Sequence, residues 1–164
     1  MKLFVLLLIA SAFNLITAQT VPNGDFEKSR IWKNRNIPFD WGAALYDDDK
    51  AEITLDDKVK HGGEKSLKLS SEIKKSRVVA TSKEIPVPTG KKDIYVSLWI
   101  KSQVPVTSEG KVVLIGYDKN NKTLIWKALF MVRGNFDWRK FSKKLPLPAG
   151  TIKYRISVRL NKGG

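Results

Sequence analysis

The chain has 164 residues, with 30 Lys and Arg against 16 Asp and Glu, a single His and no Cys. No Cys means no disulfide, no thiolate nucleophile and no thiolate metal site, and a lone His excludes the zinc signatures that need two. A formal charge of +14 attracts polyanions such as acidic polysaccharide, anionic cell-surface polymer or extracellular DNA, although a solvated, solubilising surface is the plainer reading of the same charge.

The first element in chain order is a leader. Lys2, the apolar run over residues 3–12 and the small-residue site Ile16-Thr17-Ala18 predict a signal peptide over residues 1–18, with Gln19 as the new N-terminus. A buried strand or helix of the fold is the competing reading of that apolar run. About ten apolar residues are too few to cross a bilayer some 30 Å thick. No second long apolar run follows, so a secreted or periplasmic protein without membrane insertion is expected. Residues 19–164 make one domain of ordinary size, and losing Lys2 lowers the basic excess by only one charge.

Residues 28–35 read as a basic loop carrying Trp32. After residue 50, apolar and polar residues alternate and helical periodicity is scarce. Strands are predicted over 52–55, 66–70, 77–82, 93–101, 111–118, 123–132, 138–145 and 152–160. Turn signals separate them at His61-Gly62-Gly63, Pro86-Val87-Pro88-Thr89-Gly90, Asp118-Lys119-Asn120-Asn121, Arg133-Gly134-Asn135 and Pro146-Leu147-Pro148-Ala149-Gly150. Short strands so regularly spaced predict an all-β, two-sheet antiparallel sandwich or jelly roll.

Alternation also sorts faces. Ile94, Val96, Leu98 and Ile100 form the apolar face of one strand, with Tyr95, Ser97, Trp99 and Lys101 on the other. In the last strand Ile152, Tyr154, Ile156, Val158 and Leu160 are expected inward, and Lys153, Arg155, Ser157 and Arg159 outward. In 123–130, Leu124, Trp126, Ala128 and Phe130 share a face that is either core or platform. Aromatic rings pack on the apolar faces of pyranoses, and cationic groups hold carboxylates or sulfates. Tyr95, Trp99, Lys101, Trp126, Arg155 and Arg159 are therefore the candidate ligand-binding residues.

Several segments, in order, carry a resemblance: Asn23-Gly24-Asp25-Phe26-Glu27, Pro38-Phe39-Asp40-Trp41, His61-Gly62-Gly63-Glu64-Lys65-Ser66-Leu67-Lys68-Leu69, Ile85-Pro86-Val87, Ile94-Tyr95-Val96-Ser97-Leu98-Trp99-Ile100-Lys101, Asp137-Trp138-Arg139-Lys140-Phe141 and Arg159-Leu160. Together they resemble carbohydrate-binding modules of the family 4, 9 and 22 type, within the galactose-binding-domain-like jelly rolls. The resemblance implies that Trp41 and Trp138 pack at the sandwich edge. It further implies a structural calcium ion (Ca2+) held by Asp25 and Glu27 with carbonyls around residues 60–63, since hard cations collect carboxylate and loop oxygens. Modules of this kind close with a strand reading like Trp/Phe-Asp-Asp-Val. That strand is missing before Gly164, so a truncated module, or the N-terminal module of a larger secreted protein, is expected.

Catalytic chemistry is sparse. His61 sits in a turn with no Gly-x-Ser-x-Gly elbow, and no phosphate-binding glycine loop occurs. Paired carboxylates are the only enzymatic option left, since a glycosidase needs just two; Asp47-Asp48-Asp49 and Asp56-Asp57 are the obvious clusters, and such polar runs are usually solvated. Asn121-Lys122-Thr123 has the form of an N-glycosylation acceptor. The expected function is non-catalytic binding of a polysaccharide or glycan, preferably anionic. The alternative is an accessory sandwich that positions a downstream hydrolase or protease domain. Basic residues are scattered without a recognition motif, so no specific nucleic acid is expected.

Overall fold

Side-chain alternation with period two is satisfied when two sheets bury their apolar faces against each other, and that is the architecture observed. The structure, a computed structural model, describes residues 4–8, 21–46, 51–71, 76–105 and 107–162. The predicted cleavage site at residues 16–18, the Asp47-Asp48-Asp49 cluster and the terminal Gly163-Gly164 lie outside the described residues. The elements are β1 (Phe4–Leu8), β2 (Ser29–Trp32), β3 (Arg35–Pro38), β4 (Trp41–Tyr46), β5 (Ala51–Asp56), β6 (Ser66–Ser71), β7 (Arg77–Ser82), β8 (Ile85–Pro86), β9 (Asp93–Val104), β10 (Ser108–Tyr117), β11 (Thr123–Val132), β12 (Gly134–Pro146) and β13 (Lys153–Lys162).

One sheet runs β12-β9-β1-β6-β5. The other runs β11-β10-β13-β7-β4, with β8 pairing β13, and β2 with β3 forms a separate hairpin. Every pairing is antiparallel. Between the sheets lie Ile53, Leu67, Leu69, Leu98 and Ile100 from one side and Val78, Leu114, Ile156, Val158 and Leu160 from the other, all buried. Phe130 of β11 meets Phe141 of β12 edge-on, with centroids 5.6 Å apart, which joins the two sheets along one margin.

The eight predicted strands all form. Five further elements form among the described residues: β1, from the run read as a leader, and β2, β3, β4 and β8, which were not expected. Residues 28–35 are not a loop: Trp32 pairs with Arg35 around Lys33 and Asn34, whose φ values of 47° and 58° make the left-handed two-residue turn that suits strand twist. Trp32 packs against the core from this hairpin. Ile152 is a second correction. It precedes β13 and is 48% exposed, while its carbonyl accepts from the Val87 amide.

Residues near the start are tied down by Asn23. Its Nδ2 donates to the carbonyls of Lys28 (2.7 Å) and Phe39 (2.9 Å), and its Oδ1 accepts from the Lys28 amide at 3.0 Å. Trp41 is buried as expected, tilted on Phe26 at 5.4 Å, with its indole N–H donating to the Pro22 carbonyl.

β1 comes from the apolar run read as a leader. It is hydrogen-bonded on both sides, with Val5 opposite Leu69 of β6 and Ser102 of β9. Cleavage after Ala18 would remove it and leave β6 and β9 flanking a gap, each with a row of unpaired amides and carbonyls. A chain starting at Gln19 is therefore expected to melt at a lower temperature than the full chain in a calorimetric comparison. Equal melting would mean that β6 and β9 are satisfied without β1.

Candidate functional site

Register across the larger sheet lines up a row of small residues. Gly42 of β4 faces Thr81 of β7, Thr81 faces Ser157 of β13, Ser157 faces Val113 of β10, and Val113 faces Ala128 of β11. All five lie on the outer side of the sheet, because their neighbours in sequence carry the core side chains. The row makes a shallow trough in the strand backbone, filled at its centre, where Val113 and Ser157 are fully buried and Arg159 lies on Ser157. Thr81 and Ser157 share a hydroxyl–hydroxyl hydrogen bond of 3.0 Å on its floor.

Three cations lie against aromatic rings on this outer face. The Arg159 guanidinium sits 5.4 Å from the Trp126 ring centre and donates through Nε to Ser157 Oγ at 3.1 Å. Arg77 lies 3.9 Å over Tyr46, and Arg155 lies 5.7 Å from Tyr117. At the β4 end the trough opens into a pocket of about 400 Å³ bordered by Arg30, Phe39, Gly42, Ser82, Lys83 and Arg155. Arg155 Nε is buried there with no hydrogen-bond acceptor.

Carboxylates neutralise these cations selectively. Glu84 bridges Lys153 and Arg155, and Glu109 bridges Lys111 and Arg133. The hydrogen bond from Lys153 holds the Glu84 carboxyl below its ordinary range, and Lys111 does the same for Glu109. Among the described residues, neither Arg77 nor Arg159 has a carboxylate within ion-pair distance. Burial, then the repulsive charge of Arg77, pulls Arg159 below its ordinary value. Arg77 and Arg159 are thus neighbouring guanidinium groups, set beside Tyr46 and Trp126 respectively.

The six predicted binding residues divide between two sheets. Trp126, Arg155 and Arg159 belong to the trough. Tyr95, Trp99 and Lys101 lie on β9, on the outer face of the other sheet. They do not form one platform. Trp126, which the sequence left as core or platform, is 50% exposed and points outward. The shared face expected for Leu124, Trp126, Ala128 and Phe130 is broken, because Val112 faces Phe130 while Val113 faces Ala128. Leu129 is the extra residue of that bulge, and Phe130 turns to the core. Trp99 is also changed: the His61 ring stacks on it at 3.8 Å with planes 19° apart, and Trp138 meets His61 edge-on at 5.7 Å. Lys101 donates to Asp137 at 2.9 Å, and this bond, the largest influence, holds the Asp137 carboxyl low. The sequence missed Arg77, Tyr46 and the pocket around Phe39. Arg77 heads an alternating strand and was readable there.

At the expected calcium turn, Glu27 Oε1 accepts from the Glu64 amide at 2.8 Å and Asp25 Oδ1 accepts from the Glu27 amide at 3.5 Å. Gly63 has φ 69°, a left-handed conformation that favours glycine, and it packs against the Glu27 carboxylate. Lys65 donates to the Glu27 carbonyl at 3.0 Å. Among the described residues no three His, Cys, Asp or Glu side chains cluster. Asp56 is occupied as a turn acceptor, bonded by the amides of Lys58 and Val59.

Comparison with known proteins finds no matching family model and no curated relative. Among solved structures, the enzymatically active domain of bacteriophage CBA120 tailspike protein 4 superposes with a TM-score of 0.62 at 13% identity, over 75% of this chain. This chain spans only 17% of that tailspike chain. A family 22 carbohydrate binding module of Clostridium thermocellum matches at TM-score 0.44 and 12% identity, over 75% of this chain and 77% of its own. The xylan-binding domain from Paenibacillus barcinonensis matches at 0.46 and 11%, over 74% and 81%. At such identities the likeness is one of fold.

The two tryptophans predict opposite mutant behaviour. Trp99→Ala removes a half-buried ring packed against His61 and is expected to cost about 2 kcal/mol of stability, below the range for a fully buried aromatic. Trp126→Ala is expected to stay within roughly 0.5 kcal/mol, as exposed positions do. Urea unfolding of both variants checks this. Glu109 gives a pH test. Its lowered folded-state value means that its contribution is present above the ordinary carboxylate value of 4.5 and is lost as pH falls through the lowered one. Glu109→Gln should be less stable than the parent at neutral pH, and the difference should shrink in acid.

Proposed function

We propose that this domain binds an acidic glycan without transforming it, using the trough across the larger sheet. The observation that carries the reading is the Arg77–Arg159 pair, which lies beside Tyr46 and Trp126 and lacks a carboxylate among the described residues. A sugar ring stacks on Trp126 while its carboxylate or sulfate is held by the guanidinium fork. Ser157, fully buried, steadies Arg159 through its hydroxyl, and Thr81 borders the pocket end. In this reading the leader over residues 1–18 sends the domain to the periplasm or the exterior, where such polymers are met.

A second reading is an accessory sandwich that positions a neighbouring catalytic domain and has no glycan site. It is favoured by the tailspike likeness, in which the matching part is a small share of a longer chain. Gly42→Val separates the two. A Cβ at Gly42 meets only the Thr81 carbonyl, at 3.8 Å, so a strand-favouring side chain is accommodated while it blocks the pocket end of the trough.

The test is affinity electrophoresis at low salt through polygalacturonate, heparin, xylan and hydroxyethyl cellulose. Retardation by the acidic polymers is expected, and no retardation by any of them overturns the reading. Gly42→Val should abolish it with unchanged melting. Trp126→Ala should weaken it about fivefold, the equivalent of roughly 1 kcal/mol per stacked ring. A calcium ion at Asp25 and Glu27 belongs to the proposal as a structural group, on the resemblance and on the station of Glu27 over the Gly63 turn. EDTA is then expected to lower the melting temperature without touching the trough. An unchanged melt retires the ion and leaves the glycan reading intact.

A further inference from the structure

The residues that the sequence grouped together lie on opposite outer faces of the sandwich, and the second face repeats the chemistry of the first. On β9 and β12, Ser97 faces Ser142, and their hydroxyl groups are hydrogen-bonded at 3.1 Å. Two residues along in one direction Tyr95 faces Lys144, and two in the other Trp99 faces Lys140. A hydroxyl pair is thus bracketed by an aromatic ring and an ammonium group on each side.

Tyr95 is 67% exposed, and no hydrogen bond, ring contact or ion pair engages it among the described residues. Lys140 has no carboxylate within ion-pair distance among them either, whereas Lys144 is paired with Asp93 and Lys101 with Asp137. His61 covers the Trp99 indole, so the ring available beside Lys140 is the exposed imidazole lying on it. Tyr95 and the His61–Trp99 stack stand four residues apart on one strand, about 13 Å at the usual rise per residue. That span accepts more than one sugar ring, with Lys140 placed to meet an acidic substituent.

We propose that this face is a second acidic-glycan site, so that the domain is bivalent and cross-links polymer chains lying on its two sides. Two weak sites back to back cannot be occupied by one short stretch of a stiff polymer, so bivalency gives bridging between chains rather than tighter binding to one. The proposal rests on the trough reading above.

The experiment is titration calorimetry with hexagalacturonate and with a heparin hexasaccharide, paired with turbidity of mixtures with the parent polymers. Two bound chains per protein are expected, with turbidity passing through a maximum as protein is added. Tyr95→Ala changes no charge and sits at an exposed position. It should reduce the stoichiometry to one and abolish the turbidity maximum, leaving the affinity of the remaining site unchanged. Gly42→Val should remove the other site and spare the Tyr95 face. A single bound chain that disappears in Gly42→Val and is indifferent to Tyr95→Ala overturns bivalency while the trough reading stands. No binding to either oligosaccharide overturns both.

Discussion

The feature on which the site depends is the unbroken antiparallel ladder between β10 and β13, running from Ser108 opposite Lys162 to Tyr117 opposite Lys153. A side-chain period of two means that a one-residue slip exchanges every inner residue for an outer one. The register is held by Val112, Leu114, Ile156 and Val158, which are buried between the sheets. The same constraint that places these four in the core places Val113, Ser157, Arg155 and Arg159 on the far side. Extending the register through β7 and β4 brings Thr81 and Gly42 into the row. The trough is a by-product of core packing, and its chemistry is whatever residues alternate with the core set.

Much of the fold was legible because burial imposes that alternation wherever a strand has one wet face. β4 escaped notice because its middle, Gly42-Ala43-Ala44, is built of small residues with little strand preference. The hairpin of β2 and β3 escaped because it is short and charged, and its Lys33-Asn34 turn lacks the glycine that usually marks one. The site was only half legible. Alternation tells which side of its own strand a residue occupies, but not which sheet the strand joins. Tyr95 and Arg159 therefore read alike in sequence and are separated by the thickness of the molecule. The stacking of His61 on Trp99 joins residues distant in sequence and leaves no periodic trace.

Strong net charge does not by itself make a recognition surface, since scattered lysines attract any polyanion and salt screens that attraction. What distinguishes the trough is the distribution of its counter-charges. Glu84 and Glu109 each engage two cations. Among the described residues neither they nor any other carboxylate reaches Arg77 or Arg159 within ion-pair distance. Arg159 is also partly buried, bonded to Ser157 and set beside Trp126, so little side-chain freedom would be lost in holding the proposed anion. A pre-oriented planar fork selects for geometry as well as charge, which a solvated lysine on a flexible stem does not. An acidic sugar presents an apolar ring face and a planar carboxylate side by side, and an aromatic ring with a guanidinium group beside it is the complementary pair. Neutral glycans satisfy only the stacking half of that pair. Polyphosphates satisfy only the charged half.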